Sequence, residues 1–501
     1  MWQRGTWWRG LFVVVVGLVL GAVPGGPALA RERLDTAAID RFVVEFARKA
    51  AYPGVAVAIT KGDQVLHVAG YGKDSSGAPV TAATPMPVAS VSKSFTALAV
   101  MRLVEAGRVE LDAPVRRYLP DFRVDDPRGE KITVRQLLNQ TSGITDGTLA
   151  EKSLPQPGSL AEAVVRAGQA TLATEPGTKY AYTNTNYHLA ARLVEVVSGE
   201  PFADHLRRHV LDPIGMRATS HVALTPRDLP DAVAKGHVYA YGASVPTAEP
   251  ERFVAGSDGL VSTAEDMAKW LAVHNSGGRA VSGERVLSEQ GMATMRRAEG
   301  DSTYAMGWDT EDDGRVRHGG IWFTYTAGQV LLPSGHGIAV LVNTGVALTH
   351  EGTTALEDGL ATLVTGGTPD LGGGTRLIVD LVLAGLTLVS LALGVRNLRR
   401  VGRWARRFGD RPWWRLALRL APRLVPLGIL VALPAVTTLV AGGRDISHVQ
   451  LAHYSPALVA WVVVAAVLNL GVGVARGVAL VWLRGAVRPG PSVPSPQLTA
   501  R

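Results

Sequence analysis

The sequence predicts an α+β fold: an antiparallel sheet flanked by helices, with a helical subdomain beside it and three membrane-spanning helices after it. Two observations predict the sheet and the subdomain. Strand patterns occur near 55–69 and again at 315–343, and helical periodicity fills most of the sequence between them. A third observation, three long apolar runs toward the carboxyl end, predicts the membrane spans. With 501 residues, the chain is also too long for a single core.

Periodicity and turn residues assign the elements in order. An amphipathic helix ends near Pro53, and a hairpin follows in which Val55, Val57 and Ile59 alternate with smaller residues. A helix with a buried apolar face is predicted at 90–106. The later predictions are helices starting at 132 and at 187–197, 202–210 and 263–274, strands at 315–319, 325–332 and 338–343, and a helix at about 353–364.

The amino terminus, residues 1–30, has the pattern of a signal peptide. Arg4 and Arg9 precede an apolar run at 11–23, and small residues just before position 31 form a cleavage site. An uncleaved amino-terminal anchor is the alternative. Both interpretations export the following domain, residues 31–365. The absence of cysteine is compatible with an exported protein that has no disulfides.

The carboxyl-terminal part predicts a multi-pass membrane region. Ten arginines lie in the loop after the first span, opposed by one acidic residue, so the positive-inside rule places that loop and the carboxyl terminus in the cytoplasm. The net charge of +8 therefore reflects topology and lipid contact, and no nucleic-acid partner is predicted. The predicted ranges are 366–376 for a Gly-rich linker, 377–395, 424–441 and 456–475 for the spans, 396–423 for the Arg-rich loop and 485–501 for a disordered tail.

Ser90 and Lys93 form an S-x-x-K motif at the start of the predicted 90–106 helix. Residues three apart lie on one helical face, so the two side chains can meet, with Ser90 at the positive end of the helix dipole. A serine hydroxyl becomes a good nucleophile when a nearby base takes its proton, and a desolvated lysine can do this. The chain has nine lysines, and no other has a serine three positions before it. Ser90 and Lys93 are therefore a candidate nucleophile and base.

Two further motifs carry polar side chains suited to a catalytic site. Tyr182 and Asn184 are two apart on a loop that opens a helix, so a proton-relaying phenol and an amide can point the same way. His318 and Gly320 lie where a strand is predicted, and glycines there let a substrate backbone come close. Taken singly, each has another explanation: Tyr182 can be a packed tyrosine, His318 a histidine with satisfied hydrogen bonds, and the glycines part of a turn.

No metal or cofactor is predicted. His205 and His209 are four apart on a helix, as in a metal-binding pair, but two arginines stand between them and no carboxylate partner is evident. His350 and Glu351 lack the second histidine of an H-E-x-x-H motif, and the sequence has no phosphate-binding glycine loop.

In their order and spacing, the three motifs together resemble those of the serine β-lactamase and penicillin-binding-protein superfamily. The branch that the chain resembles contains class C β-lactamases, D-alanyl-D-alanine carboxypeptidases and related esterases. The likeness covers roughly residues 36–365 and includes the segments 137–143, 211–216 and 259–267.

The resemblance implies a β-lactamase/transpeptidase-like fold and an acyl-enzyme formed on Ser90. It implies that Lys93 and Tyr182 share the general acid and base work and that Asn184 orients the substrate amide. The oxyanion hole would consist of the backbone N–H groups of Ser90 and Ile321. Donors of this kind are each worth about 2.7 to 4 kcal/mol in catalysis.

Several positions depart from the family pattern. His318 stands where many relatives carry lysine, which weakens the expectation of a potent β-lactamase because the substrate carboxylate favours a cation. Thr324 falls where a glycine is usual after the third motif. Gln140 and Thr183 replace a frequent histidine and serine, and structural roles are expected for both. The substrate is therefore less defined than the chemistry.

The predicted function is a membrane-anchored serine hydrolase that acts outside the cytoplasmic membrane on a cell-wall D-Ala peptide, a β-lactam or a small ester. Its predicted partners are that substrate and the lipid bilayer, and no oligomeric state is predicted. The alternative is a non-catalytic sensor of β-lactam or cell-wall ligands that signals through the spans, but no cytoplasmic output domain is recognisable. A degenerate hydrolase is disfavoured by the intact Ser90, Lys93 and Tyr182.

Overall fold

The computed structural model divides the chain into two compact units, Met1–Asp35 and Thr36–Arg501. The predicted signal peptide and the tail from residue 487 onward lie outside the described residues, as do His350 and Glu351. All the elements below belong to the second unit. The structure describes residues 34–300, 302–347, 352–372 and 375–486.

The elements follow the predicted order, with a sheet at the two ends of the hydrolase-like region and helices between. The helices are α1 Thr36–Ala50, α2 Ser92–Glu105, α3 Val134–Leu138, α4 Leu160–Ala167, α5 Asn184–Ser198, α6 Phe202–Leu206, α7 Asp212–Ile214, α8 Ala264–Asn275, α9 Glu289–Met295, α10 Thr354–Val364, α11 Thr375–Arg399, α12 Val401–Phe408, α13 Trp413–Leu420, α14 Val425–Val440, α15 His448–Tyr454 and α16 Pro456–Ala486. The strands are β1 Gly54–Lys61, β2 Gln64–Gly72, β3 Met86–Pro87, β4 Ser220–His221, β5 Leu224–Thr225, β6 Gly236–Ala240, β7 Ala243–Thr247, β8 Arg252–Phe253, β9 Leu260–Ser262, β10 Tyr304–Ala305, β11 Trp308–Thr310, β12 Val316–Ile321, β13 Thr326–Leu331 and β14 His336–Val342.

The main sheet joins the two ends of the region, as the sequence predicts. Its seven antiparallel strands lie in the order β10-β11-β12-β13-β14-β1-β2, and Val55 of β1 pairs with Val342 of β14. β1 is buried along almost its whole length. Both of its faces are covered because α8 packs on one side of the sheet, and α1 and α10 pack together on the other. This buried sheet is the support on which the third motif is built.

The helical subdomain contains more short elements than periodicity predicts. Helix α4 and the β6–β7 hairpin were not predicted, and the helix expected at 202–210 is a short α6 followed by a π-helical turn, Arg207–Leu211. Helix α5 begins at Asn184, three residues before the predicted start. Short elements escape periodicity because they contain too few turns to show a repeat.

The predicted helix at 90–106 is a 3₁₀ turn, Ala89–Val91, that continues into α2. Helix α2 is buried on nearly all sides, so its low amphipathicity reflects a central position between the sheet and the subdomain. Phe95 stacks on Trp270 of α8 with ring centroids 3.6 Å apart. The indole N–H of Trp270 donates to Gln329 of β13 at 2.9 Å. These contacts fix the nucleophile-bearing helix to the sheet.

Three helices are long and apolar enough to cross a membrane by length and composition: Thr375–Arg399, Trp413–Val440 and Pro456–Gly485. The Arg-rich segment between the first two is not an open loop, since it contains α12 and α13, and Arg484 of α16 donates to the carbonyl of Gly409 at 2.9 Å. This difference arises because arginines on one helical face can leave the apolar face free to pack.

The start of α11 is docked on the hydrolase region, although the sequence assigns residues 366–376 to a flexible linker. Arg376 is buried, with its guanidinium 3.5 Å from the ring centroid of Tyr239. Asp380, the one charge in the predicted span, accepts a hydrogen bond from the backbone N–H of Tyr241 at 2.6 Å. Both contacts are with the β6–β7 hairpin, so the first span begins in direct contact with the folded unit.

The Phe95–Trp270 stack provides a test of this packing. Phe95→Ala should lower the free energy of unfolding by about 3 to 5 kcal/mol, because it leaves a cavity between α2 and the sheet. Chemical denaturation of the detergent-solubilised protein measures the change. Val165→Ala, at a side chain that is 76% exposed, is the control and should stay within about 0.5 kcal/mol. A similar small loss for both variants would contradict the packing role of Phe95.

Candidate active site

Ser90 and Lys93 meet as the S-x-x-K spacing predicts. The Lys93 ammonium donates to Ser90 Oγ at 3.0 Å. Lys93 is fully buried, and Ser90 lines a cavity of about 540 Å³. That volume lies within the range of small-molecule sites. Ala89, directly before the nucleophile, has a φ of +47°, so the turn that presents Ser90 has a left-handed residue.

Asp258 contacts both residues, and the sequence analysis missed it. The Ser90 hydroxyl donates to Asp258 Oδ1 at 2.6 Å, and the Lys93 ammonium lies 3.0 Å from the same oxygen. The Asp258 side chain is 3% exposed, so it forms a buried ion pair with Lys93. Asp258 lies in the segment just before β9. It stands one residue before the 259–267 segment that carries part of the family resemblance. A charged residue between the small residues of Gly256-Ser257-Asp258-Gly259 was the available signal.

The ion pair sets the protonation state of Lys93. Burial lowers the pKa of the Lys93 ammonium, but Asp258 and Tyr182 raise this pKa by more than burial lowers it. The pKa of Lys93 is therefore above its usual value. Burial raises the pKa of Asp258, yet Lys93 and Arg252 outweigh burial and hold this pKa well below the usual range. The resting site therefore contains an ammonium and a carboxylate. A neutral Lys93 base would need a lowered pKa, and here the pKa moves in the opposite direction.

Tyr182 and Asn184 lie at the same site, on either side of the residue that caps α5. Asn184 accepts a hydrogen bond from Lys93 at 2.8 Å and donates to Asp258 Oδ2 at 3.1 Å, so its amide holds the ion pair. The Tyr182 ring centroid lies 4.9 Å from Lys93 Nζ. Thr183 donates its backbone N–H to Gln140 at 3.2 Å, which gives Gln140 the structural role expected for it.

Strand β12 forms the opposite wall. A Cβ on Gly320 would lie 2.2 Å from the carbonyl oxygen of Val88 and 3.1 Å from Ser90 N, so the glycine makes room for the nucleophile turn. Gly319, by contrast, has open space where a Cβ would be. The Trp322 N–H donates to the Tyr325 carbonyl at 2.9 Å. Hydrogen-bonded and non-hydrogen-bonded residues alternate along an antiparallel pair of strands. The N–H of Ile321, the residue before Trp322, therefore points away from β13.

The backbone N–H of Ile321 is therefore available at the edge of the cavity that contains Ser90, as the oxyanion hole requires. His318 lies on the same strand and is buried, with Nε2 3.0 Å from the Tyr304 hydroxyl. Burial, followed by the charge of Lys93, lowers the pKa of His318 to about 4. The imidazole is thus neutral at pH 7 and does not replace the cation of a third-motif lysine.

A third wall comes from a segment between the carboxyl-terminal apolar helices. We call residues 441–455, which join α14 to α16 and include α15, the span loop. Arg444 of this loop lies with its guanidinium 4.5 Å from the ring centroid of Tyr182 and donates to buried Asp146 at 2.9 Å. The span loop therefore lines the same cavity as Ser90. Sequence reasoning could not find this contact, because the loop carries no motif and lies more than 350 residues from Ser90.

With this geometry described, comparison with known proteins decides the family. A family model described as Beta-lactamase matches residues 39–361, well over half of the chain. The chain belongs to the β-lactamase family. The predicted superfamily and fold are confirmed, and the motif-bearing residues all lie within the matched range.

Curated relatives include penicillin-binding-protein homologues. "Penicillin-binding protein 4" of Amycolatopsis lactamdurans is 30% identical over 316 residues, covering 59% of this chain and 82% of that protein. "Protein flp" of Staphylococcus aureus (strain MW2) is 27% identical over 314 residues, covering 61% of this chain and 62% of that protein. The chain thus spans less than two thirds of the length of the latter relative.

Solved structures have the same fold. The octameric penicillin-binding protein homologue from Pyrococcus abyssi aligns with a TM-score of 0.57 and 26% identity, over 67% of this chain and 78% of that chain. The penicillin binding protein from Bacillus halodurans aligns with a TM-score of 0.53 and 24% identity, over 64% and 98%. These alignments confirm the antiparallel sheet with flanking helices.

One group of side chains away from Ser90 could hold a metal ion. Glu200 Oε2 lies 3.6 Å from His205 Nδ1 and 3.6 Å from His209 Nε2. The expectation that this histidine pair lacks a carboxylate partner was therefore wrong: Glu200 lies just before α6, outside the helical repeat that contains the two histidines. Arg208 contacts the other oxygen of Glu200 at 3.1 Å. This group lies outside the residues that line the Ser90 cavity.

The position of Asp258 leads to a test of its role. Asp258→Asn should slow labelling of Ser90 by a fluorophosphonate at least about a hundredfold, because the hydroxyl loses its proton acceptor and Lys93 loses its anionic partner. Labelling rates of the detergent-solubilised protein measure the effect. Asp204→Asn, at an exposed position on α6, is the control and should label at the normal rate. Normal labelling of Asp258→Asn would show that this carboxylate is not needed for nucleophile activation.

Proposed function

We propose that the protein is a membrane-anchored serine hydrolase that cleaves an amide or ester through an acyl-enzyme outside the cytoplasmic membrane. The observation that carries this proposal is the position of the Ser90 hydroxyl, 2.6 Å from the Asp258 carboxylate and 3.0 Å from the Lys93 ammonium. A nucleophile, a proton acceptor and a proton donor meet at one solvent-accessible cavity.

Acylation follows from these contacts. Ser90 Oγ attacks the substrate carbonyl and its proton passes to Asp258, while the developing oxyanion accepts hydrogen bonds from the N–H groups of Ser90 and Ile321. Lys93, acting through Tyr182, supplies a proton to the leaving group. A proton then crosses from Asp258 to Lys93 over their 3.0 Å contact, which restores the ion pair. Charge and protons balance when the leaving group departs.

Deacylation uses the same groups in reverse. A water molecule attacks the acyl carbon, and its proton enters the Lys93, Tyr182 and Asp258 network as the tetrahedral intermediate forms. Ser90 leaves with a proton from that network, and the carboxylic acid product is released. Lys93 thus shares the acid and base work inferred from the resemblance, but it acts together with an acidic partner.

The neutral His318 bears on the substrate. A substrate carboxylate gains most from a buried cation at this position, and the pKa of about 4 for His318 provides none at pH 7. His318 therefore gives no preference for a β-lactam or another substrate with a carboxylate next to the scissile bond, while Lys152, Arg252 and Arg444 are cations that line the same cavity. Because relatives are named penicillin-binding proteins, a D-Ala peptide is the main alternative substrate.

The membrane placement is the second part of the proposal. The ten arginines at 396–423 favour a cytoplasmic location for that segment. The span loop follows the next span and contacts the Ser90 cavity. Two crossings separate the hydrolase region from this loop, so both lie on the same side, opposite the arginines. The catalytic region then faces outward and the bilayer is its partner.

The nucleophile is tested by trapping the acyl-enzyme. A fluorophosphonate or penicillin-type probe should add its mass to the peptide that contains Ser90, and Ser90→Ala should abolish both labelling and hydrolysis of p-nitrophenyl acetate. Mass spectrometry and ester turnover measure this. Ser92→Ala, at a buried serine that donates to the Ala89 carbonyl, is the matched control and should still label. Labelling that survives Ser90→Ala would refute the assignment.

The topology is tested by reporter fusions. A fusion after Gly372 should report a location outside the cytoplasm, and a fusion at Arg403 should report inside, because arginine-rich segments resist translocation. Paired alkaline phosphatase and fluorescent protein reporters measure both. A cytoplasmic signal at Gly372 would place the hydrolase region inside and contradict the membrane placement.

A further inference from the structure

We propose that the substrate is a membrane-borne amphiphile, an acyl ester or amide whose chain lies along α14 while its carbonyl reaches Ser90. This inference rests on the proposed hydrolase function and specifies its substrate class. It starts from two adjoining cavities on the span loop, one lined by Ser90 and the other lined by part of a predicted membrane span.

Two neighbouring cavities share one boundary. The cavity around Ser90 has a volume of about 540 Å³, and a second one beside it has a volume of about 680 Å³. Both are lined by Lys152, Arg252 and residues 445–446 and 450 of the span loop. The two cavities therefore adjoin at these residues, and the proposed ligand passes from one to the other at this boundary.

The second cavity continues onto the predicted membrane span. Its wall includes Val431, Pro434, Ala435 and Thr438 of α14, with Phe323 on the side of the hydrolase region. Val431 and Thr438 are seven residues apart, so this wall extends for about 10 Å along the helix. It runs toward the middle of the span predicted from the sequence at 424–441. We call this surface the α14 groove.

The polarity along the path matches an amphiphile. Near the shared boundary lies Arg252, whose Nη2 lies 3.7 Å from Glu249 Oε1 and whose Nη1 lies 3.8 Å from Asp258, while its Nε and Nη2 are buried without a hydrogen bond. Beyond it, the α14 side of the cavity, formed by Val431, Pro434 and Ala435, is apolar, while other lining residues, including Ser153, Glu251 and His448, are polar. A polar headgroup with a hydrocarbon chain would satisfy the first part and bury its methylenes on the second.

The span loop is held firmly enough to act as a wall. Asp445 accepts hydrogen bonds from Ser153 N at 2.9 Å and from Ser153 Oγ at 2.8 Å. Its own N–H donates to Asp146 at 3.1 Å. Tyr454 stacks on Phe323 with centroids 5.5 Å apart. These contacts attach α14 to the hydrolase region beside the nucleophile, so the α14 groove and Ser90 keep a fixed spacing.

The bilayer is the source of the occupant, because the α14 groove lies on a helix that the proposed topology places in the membrane. An ester or peptide dissolved in water would gain nothing from an apolar wall that lies within the membrane. An ordinary bilayer lipid that merely fills the groove, without being a substrate, is the competing occupant and must be separated from a substrate chain by kinetics.

The experiment uses the full chain reconstituted in lipid nanodiscs and p-nitrophenyl esters of increasing acyl length. For each variant, the measured quantity is the ratio of kcat/KM for the dodecanoate to kcat/KM for the acetate. Val431→Trp fills the α14 groove and should lower this ratio at least about tenfold, because several chain methylenes lose their buried surface. Ala435→Leu, a smaller obstruction, should lower it in the same direction and guards against misfolding of the first variant.

Val436→Trp is the matched control. Val436 lies on the same helix and is 54% exposed, against 68% for Val431, but it does not line the cavity. Its ratio should equal that of the wild type, which corrects for partitioning of long esters into the bilayer. Equal ratios in all variants, or equal losses in Val431→Trp and Val436→Trp, would overturn the amphiphile proposal alone. Absence of Ser90-dependent hydrolysis of both esters by the wild type would overturn the hydrolase function, and the substrate class with it.

Discussion

The buried ion pair between Lys93 and Asp258 is the constraint on which the site depends. Both side chains are removed from water, and an unpaired charge in such a place costs several kcal/mol. The surroundings meet this cost with hydrogen bonds from Asn184 and Ser90 to Asp258 and with contacts from Lys93 to Asn184 and the Ser257 carbonyl. The same contacts that satisfy the pair also hold the nucleophile. Stability and preorganisation therefore have one physical origin at this point.

Packing behind the pair explains how it stays in place. Helix α2 carries Lys93 and is fixed by Phe95 and Trp270 to the sheet, while β12 passes so close to the nucleophile turn that only glycine fits at position 320. Asp258 arrives from the segment before β9, which pairs with β3 just ahead of Ser90. Three parts of the chain thus converge because a buried sheet and its covering helices leave them one arrangement.

The carboxyl-terminal helices and the span loop contact the region that contains Ser90, and the helices are also a candidate membrane anchor. Arg376 and Asp380 attach the first long helix to the β6–β7 hairpin, and the span loop attaches the second and third helices beside Tyr182. Two separate points of contact restrain rotation of the hydrolase region relative to these helices. A hydrolase held in this way presents its cavity at a constant distance from the apolar helices, which a flexible tether would not do.

Features that depend on short spacing and on composition could be predicted from the sequence. The contact between Ser90 and Lys93 follows from a three-residue separation on a helix, the sheet strands follow from alternation, and the long helices follow from apolar length. The assignment of His318 to a strand follows from local pattern, whereas the structural role of Gln140 was expected from the family resemblance.

Which charges face Ser90 depends on contacts between distant parts of the chain. Asp258 is separated from Lys93 by 165 residues and Arg444 from Asp146 by 298, and no local pattern links such positions. These pairings matter because the pKa of a buried group depends on the sum of burial and all neighbouring charges, not on its own motif. For that reason the motif predicted the contact of Lys93 with Ser90, but the protonation state of Lys93 is set by a carboxylate that only the folded chain brings to it.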